Sequence, residues 1–141
     1  MANLRFSLLL GVQLVAVLVL LVLMALWPGP WNSQRVVGSI ILLLGMGLVF
    51  TARLQLGQSF SVTPQARQLV THGLYAKIRN PIYVFGTVAI LGMCLILQRP
   101  ALWMVMALVA VMQILRARKE SNVLEAKFGD EYRAYRNQTW F

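Results

Sequence analysis

Four uncharged apolar runs account for about half of the chain, and the breaks between them contain proline, glycine or arginine. An α-helix of about 20 residues spans the roughly 30 Å of hydrocarbon in a bilayer. The pattern therefore predicts an all-α, polytopic membrane protein of one domain, residues 1–141. Its four predicted transmembrane helices cover residues 7–27, 36–52, 81–97 and 101–128.

The first run has some features of a secretory signal, because Arg5 precedes it. It is longer than the apolar core of a usual signal peptide, however, and residues 27–31 offer no small-residue cleavage site. We therefore expect a retained helix.

Two polar segments lie outside the predicted spans. Residues 53–80 form an extramembrane loop, and the tail from 116 holds all four acidic residues. The tail prolongs the fourth helix as an amphipathic extension. Gly129 suits a C-terminal cap and Asp130 the start of a second short helix.

Composition supports a membrane protein, since 59% of the residues are hydrophobic and only 12% are charged. Soluble domains contain roughly 25% charged residues. The net charge of +9 lies mostly in the loop, the tail and near the N-terminus. By the positive-inside rule these parts face the cytoplasm, with both termini inside, in a bacterial cytoplasmic membrane. Basic residues in these parts can bind anionic lipid headgroups of the membrane. No motif predicts a nucleic-acid partner.

Several residues have structural roles by this pattern. Gly38 and Gly45 share a helix face and predict close helix packing. The single cysteine, Cys94, excludes an internal disulfide and lies in an apolar run. No metal site is predicted.

The break at Arg99-Pro100 predicts a tight antiparallel hairpin of the third and fourth helices. Pro81 and Glu120 are equally far from the midpoint between Pro100 and Ala101, 19.5 positions on either side. Both should lie roughly 29 Å from the turn, at the cytoplasmic edge of the hydrocarbon. Arg79 and Asn80 should then lie at the depth of Glu120.

Asn80-Pro81 reads as an N-cap and first helical residue, so a helix N-terminus would lie beside Arg79. Arg79 suits an anion and Glu120 an ammonium or hydroxyl, which together fit a zwitterionic ligand. Each residue also has a simpler interpretation: plain capping for Asn80, snorkelling for Arg79, and solvation or pairing with Arg116 for Glu120.

Residues 69–75, Leu-Val-Thr-His-Gly-Leu-Tyr, and 79–83, Arg-Asn-Pro-Ile-Tyr, resemble the signature of the isoprenylcysteine carboxyl methyltransferase family. That family is related to the membrane phospholipid N-methyltransferases. Residues 120–132 resemble its second signature, and residues 56–60 match the segment leading into the loop. The resemblance covers about the C-terminal two-thirds of the chain.

The resemblance implies an S-adenosylmethionine-dependent methyltransferase that releases S-adenosylhomocysteine and acts on a lipophilic or lipidated acceptor. It implies catalytic roles for Arg79 and Glu120. The residues implied to bind the cofactor are Leu69, Val70, His72, Gly73, Tyr75, Arg79, Asn80, Pro81, Tyr83 and Glu120.

Two positions depart from the family pattern. Asn80 stands where the commonest form has His, and Ser121 stands where it has a second Glu. The second departure weakens the assignment of a prenylcysteine substrate. The sequence names neither the acceptor nor the oligomeric state.

Three other functions compete. An NADPH-dependent reductase would use a similar helical core, and an assembly protein would keep the scaffold without catalysis. A small four-helix transporter is disfavoured, because every acidic residue lies at or beyond position 120 and proton-coupled transport uses ionisable groups within the membrane.

Overall fold

The computed structural model describes residues 2–57 and 69–141. These residues form α-helices and one turn of 3-10 helix, Gly73–Ala76, and contain no strand. The α-helices are α1 (Ala2–Leu26), α2 (Ser33–Leu56), α3 (Pro81–Leu97), α4 (Pro100–Phe128) and α5 (Asp130–Gln138). The predicted all-α class is thus confirmed for the described part of the chain. Residues 58–60 of the segment 56–60, which resembles the family segment before the loop, lie outside the described residues.

The helix bounds differ from the predicted ones at several ends. The third helix, 81–97, agrees at both ends, whereas α1 begins at Ala2 rather than 7 and ends one residue earlier. The second helix is longer than the apolar run 36–52, because caps rather than hydrophobicity fix its ends. Asn32 Oδ1 accepts a hydrogen bond from Arg35 N at 2.9 Å, and Gly57 ends α2 with a φ of 52°.

The end of α4 agrees with the prediction. Gly129 follows α4 with a φ of 52°, a left-handed conformation that suits glycine, and its N–H donates to Glu125 O. The second short helix, α5, begins at Asp130 as predicted.

Glycines bring α2 and α3 into backbone contact. A methyl group at Gly45 would lie 2.8 Å from Ala89 N, and one at Gly92 would lie 2.5 Å from Leu42 N. A methyl group at Gly38 would lie 2.8 Å from Gly92 O. The close packing predicted from Gly38 and Gly45 is confirmed, and its partner is α3.

Arg35 joins α1 to α2. Its guanidinium is buried and donates to the carbonyl oxygens of Met24, Trp27 and Gly29 at 2.7–2.9 Å. It also lies 4.4 Å from the centre of the Trp31 ring. A cation that binds the carbonyls at a helix C-terminus satisfies groups that would otherwise have no partner. Arg35 therefore has a structural role.

Helices α3 and α4 form the predicted hairpin. Near the turn, the Cys94 thiol lies 3.6 Å from Leu102 O, and at the far end Tyr83 on α3 bonds Glu120 on α4. The sequence places Glu120 at the depth of the start of the third helix, and the Tyr83–Glu120 hydrogen bond agrees with that depth. Gln98 turns the chain with a φ of 50°, and its side-chain amide exchanges hydrogen bonds with Asn32.

Large apolar side chains cover the outside of α1 and α4. Leu26 is 76% exposed and Met104 is 78% exposed. Helices α2 and α4 are long and apolar enough to cross a membrane, and Gly11–Leu26 and α3 are shorter apolar helices. Soluble monomers rarely expose continuous apolar surface of this size, so lipid is the fitting solvent. Four crossings remain a prediction.

The α2–α3 contact can be tested with two alanine substitutions in one helix. Gly45→Ala should lower the free energy of unfolding of the detergent-solubilised protein by about 1–3 kcal/mol, and with it the melting temperature, because the added methyl group forces the helices apart. Gly47→Ala is the matched control, since no atom lies within 4 Å of that position. Equal melting temperatures for the two variants would contradict the packing described above.

Candidate functional site

The segment after residue 68 is fixed to the end of α2 by a side chain. Gly73 has a φ of 61°, and a methyl group there would lie 2.4 Å from Gln55 Oε1. The same oxygen accepts a hydrogen bond from Leu74 N at 2.8 Å. The left-handed backbone conformation favours glycine at position 73, and a methyl group there would also displace the Gln55 amide.

Tyr75 is buried, and its carbonyl oxygen accepts a hydrogen bond of 2.6 Å from the Tyr135 hydroxyl on α5. Burial raises the pKa of Tyr135 to about 12, so this donor keeps its proton at neutral pH. Burial, and next the negative charge of Glu120, raises the pKa of the Tyr75 phenol. Tyr75 therefore lies near Glu120, although neither touches the other through a hydrogen bond.

The C-terminal segment runs alongside residues 77–80. Trp140 N donates to Lys77 O at 3.0 Å, and Asn80 N donates to Phe141 O at 3.1 Å. A parallel bridge pairs Ile78 with Trp140. This pairing places Phe141 beside the start of α3.

Helix α3 starts where the sequence predicts. Asn80 is the residue before the helix and the buried Pro81 is its first residue. Asn80 thus occupies the predicted N-cap position, although its side chain makes no capping hydrogen bond. The Asn80 carbonyl instead accepts from the backbone N–H groups of Tyr83 and Val84, and the amide side chain lines a cavity.

Glu120 is held by a phenol from the facing helix. The Tyr83 hydroxyl donates to Glu120 Oε2 at 3.0 Å. Within the described residues, Glu120 forms no ion pair with Arg79 or with Arg116. The carboxylate ions of Glu125 and Asp130 instead bind Arg133 and Arg136 near α5.

A cavity of about 430 Å³ opens beside this end of the hairpin, and we name it the arginine cavity. Three arginine residues and no acidic residue line it, and one of the three, Arg136, is already paired with Glu125. The Nε of Arg79 is buried without a hydrogen-bond partner in the described structure. An anionic group is the ligand that such a lining favours. Its lining residues are Arg79, Asn80, Ile114, Ala117, Arg118, Ser121, Asn122, Arg136 and Phe141.

Two grooves follow the α3–α4 pair towards the hairpin turn. The outer groove, of about 380 Å³, is lined by Tyr83, Val84, Thr87, Val88, Ala110, Gln113, Ile114 and Phe141. The inner groove, of about 410 Å³, is lined by Val49, Ile82, Tyr83, Gly86, Val109, Met112, Gln113 and Arg116. The outer groove shares Ile114 and Phe141 with the arginine cavity, so this apolar groove is next to the cavity that the arginine residues line.

The structure brings some predicted site residues together and leaves others apart. Tyr75, Tyr83 and Glu120 form one cluster, and Arg79 and Asn80 line the arginine cavity next to it. Ser121, the neighbour of Glu120, also lines that cavity. The remaining predicted residues do not line it: Leu69 and Val70 are half-buried, His72 and Gly73 are exposed, and Pro81 is buried under the helix start.

Six residues that line the arginine cavity were not predicted from the sequence: Ile114, Ala117, Arg118, Asn122, Arg136 and Phe141. Arg118 and Asn122 carried a usable signal, because they fall with Ser121 on one face of α4 at helical spacing. Arg136 and Phe141 gave no such signal, since only the fold of α5 and the following segment brings them to the cavity.

The described residues form a helical protein with two helices apolar enough to cross a membrane and a polar cavity at one end of a helical hairpin. Residues 33–131, which are 99 of the 141, match the family described as phospholipid methyltransferase. The chain belongs to this family of membrane methyltransferases, and the resemblance seen in its motifs is confirmed. No curated protein matches it. The family match gives no support to a reductase or a transporter.

The Tyr83–Glu120 bond can be measured with a double-mutant cycle. Tyr83→Phe removes the donor and leaves a half-buried carboxylate unpaired, so the free energy of unfolding should fall by about 1–3 kcal/mol. Tyr83→Phe should cost much less when Glu120→Leu is already present, because the shared bond is gone. Additive effects in detergent unfolding experiments would show that the two side chains do not interact.

Proposed function

We propose that the chain is an S-adenosylmethionine-dependent integral membrane methyltransferase that acts on a lipophilic acceptor. The acceptor resembles an isoprenylcysteine carboxylate or a phospholipid. The observation that carries this proposal is the arginine cavity, which shares Ile114 and Phe141 with an apolar groove. That groove is also lined by Tyr83, the hydrogen-bond partner of Glu120. A donor-binding end and an acceptor-binding end are thus contiguous.

The residues present fit the methyl donor. Its carboxylate suits Arg79, whose Nε is buried without a partner, with Arg118 and Arg136 facing the same cavity. The carboxylate side chain of Glu120, set in place by Tyr83, suits an ammonium or a ribose hydroxyl. The sulfonium of the donor supplies an activated methyl group, so the protein need only align the two reactants.

The acceptor would lie in the outer groove, because that groove shares Ile114 and Phe141 with the arginine cavity. Its apolar lining suits a hydrocarbon chain that enters from the bilayer. A carboxylate acceptor needs no general base, whereas an ammonium acceptor must first lose a proton. Arg79 and Glu120 are the residues to which we assign catalysis, through binding and orientation of the reactants.

The membrane arrangement that we propose rests on the distribution of the basic residues along the chain. We place the arginine cavity at the cytoplasmic face, with α1 to α4 as four crossings and both termini inside. The 17 residues of α3 extend about 25 Å. This helix therefore crosses the hydrocarbon layer where the bilayer is locally thin or where polar residues flank the helix. Arg35 lies on the opposite side, where α1 carbonyls bind it.

Ligand stabilisation tests the donor assignment directly. S-adenosylhomocysteine should raise the melting temperature of the detergent-solubilised protein by several degrees, and NADPH should leave it unchanged. Arg79→Gln should remove the shift, whereas Arg99→Gln, at the turn of the hairpin, should retain it. Stabilisation by NADPH alone would contradict the proposal and favour a reductase.

A further inference from the structure

Gln113 is a polar side chain placed deep in an apolar helix. It precedes Glu120 by seven residues, so it lies about 10 Å further from the charged end of α4. Every other residue from Ala101 to Leu115 is apolar. A hydrogen-bonding group at such a depth is costly unless it has a partner.

The Gln113 amide lacks one such partner. Its oxygen, Oε1, is buried and accepts no hydrogen bond from the described residues. The amide lies over Gly86 on α3, where a methyl group would come 3.6 Å from Oε1. Glycine offers no side chain that could donate to this oxygen, so the facing helix leaves it unpaired.

The other polar side chains of the outer groove are already paired. The Tyr83 hydroxyl donates to Glu120, and the Thr87 hydroxyl donates to Tyr83 O at 2.9 Å. Gln113 differs from these two hydroxyls because its oxygen is buried and, among the described residues, takes part in no hydrogen bond. A molecule in the groove can supply the missing donor after rotation of the amide.

We propose that Gln113 determines acceptor specificity by accepting a hydrogen bond from an N–H or O–H group of the lipid bound in the outer groove. This inference rests on the proposed function, since the lipid is the methyl acceptor. The donor group would lie about 10 Å from the atom that receives the methyl, because Gln113 and Glu120 are that far apart along α4. A linkage bearing an amide or hydroxyl satisfies this requirement, whereas an ester linkage does not.

A pair of lipids with the same headgroup tests the proposal. Ceramide phosphoethanolamine carries an amide N–H and a hydroxyl where dioleoyl phosphatidylethanolamine carries esters. Competition between the two for the purified full chain, read by native mass spectrometry without methyl donor, should favour the ceramide lipid about three- to tenfold. Equal retention of both lipids would overturn the proposal.

Substitutions assign the preference to one side chain. Gln113→Leu should abolish it, and Gln113→Met, which keeps the length of the side chain, should do the same if the leucine variant folds poorly. Met112→Leu, at the adjacent position, should keep it. A preference that survives in both Gln113 variants would place the hydrogen bond elsewhere and refute the assignment.

The two proposals can fail separately. If the lipid preference is present and no methyl is transferred to any lipid, the proposed function falls and Gln113 remains a lipid-selecting residue. If methyl transfer occurs and the lipid preference is absent, only the role of Gln113 is refuted.

Discussion

The close approach of α2 and α3 is the contact on which the rest of the structure depends. Gly38, Gly45 and Gly92 let the two backbones meet with no side chain between them, which places many atoms in van der Waals contact. Lipid solvates apolar side chains as well as a protein interior does, so hydrophobic burial contributes little inside a bilayer. Packing of small residues is the force that remains. Helix α3 is therefore positioned by α2, and α4 is joined to α3 by the hairpin and by the Tyr83–Glu120 hydrogen bond.

That dependence explains how the site is assembled. The N-terminal end of α3 carries Tyr83 to Glu120 on α4 and places Arg79 beside the face of α4 that bears Arg118 and Ser121. Gln55 at the end of α2 fixes the Gly73 turn, and Tyr135 on α5 fixes the carbonyl of Tyr75. The polar cavity thus forms where four separate segments meet. None of them carries a binding site alone.

The sequence predicted the apolar helices, the glycine contact and the depth relation between α3 and α4, because these follow from hydrophobic periodicity and helix rise. It did not predict the Tyr83–Glu120 hydrogen bond, because equal depth in the membrane does not show which way a side chain points. It placed Asn80 at the N-cap of α3, which the structure has, but the Asn80 side chain makes no capping hydrogen bond there. Arg136 and Phe141 reach the cavity through the turn at Gly129 and the bridge at Ile78, which no local pattern encodes.

The most direct test of the account is transfer of radiolabelled methyl groups from S-adenosylmethionine into lipids by the purified protein. Label should appear in an extractable lipid, identified by mass spectrometry, and should fall to background in Arg79→Gln and in Glu120→Gln. The Arg99→Gln variant should remain active. Unchanged transfer in both site variants, with the protein folded, would contradict the proposed site at the end of the hairpin.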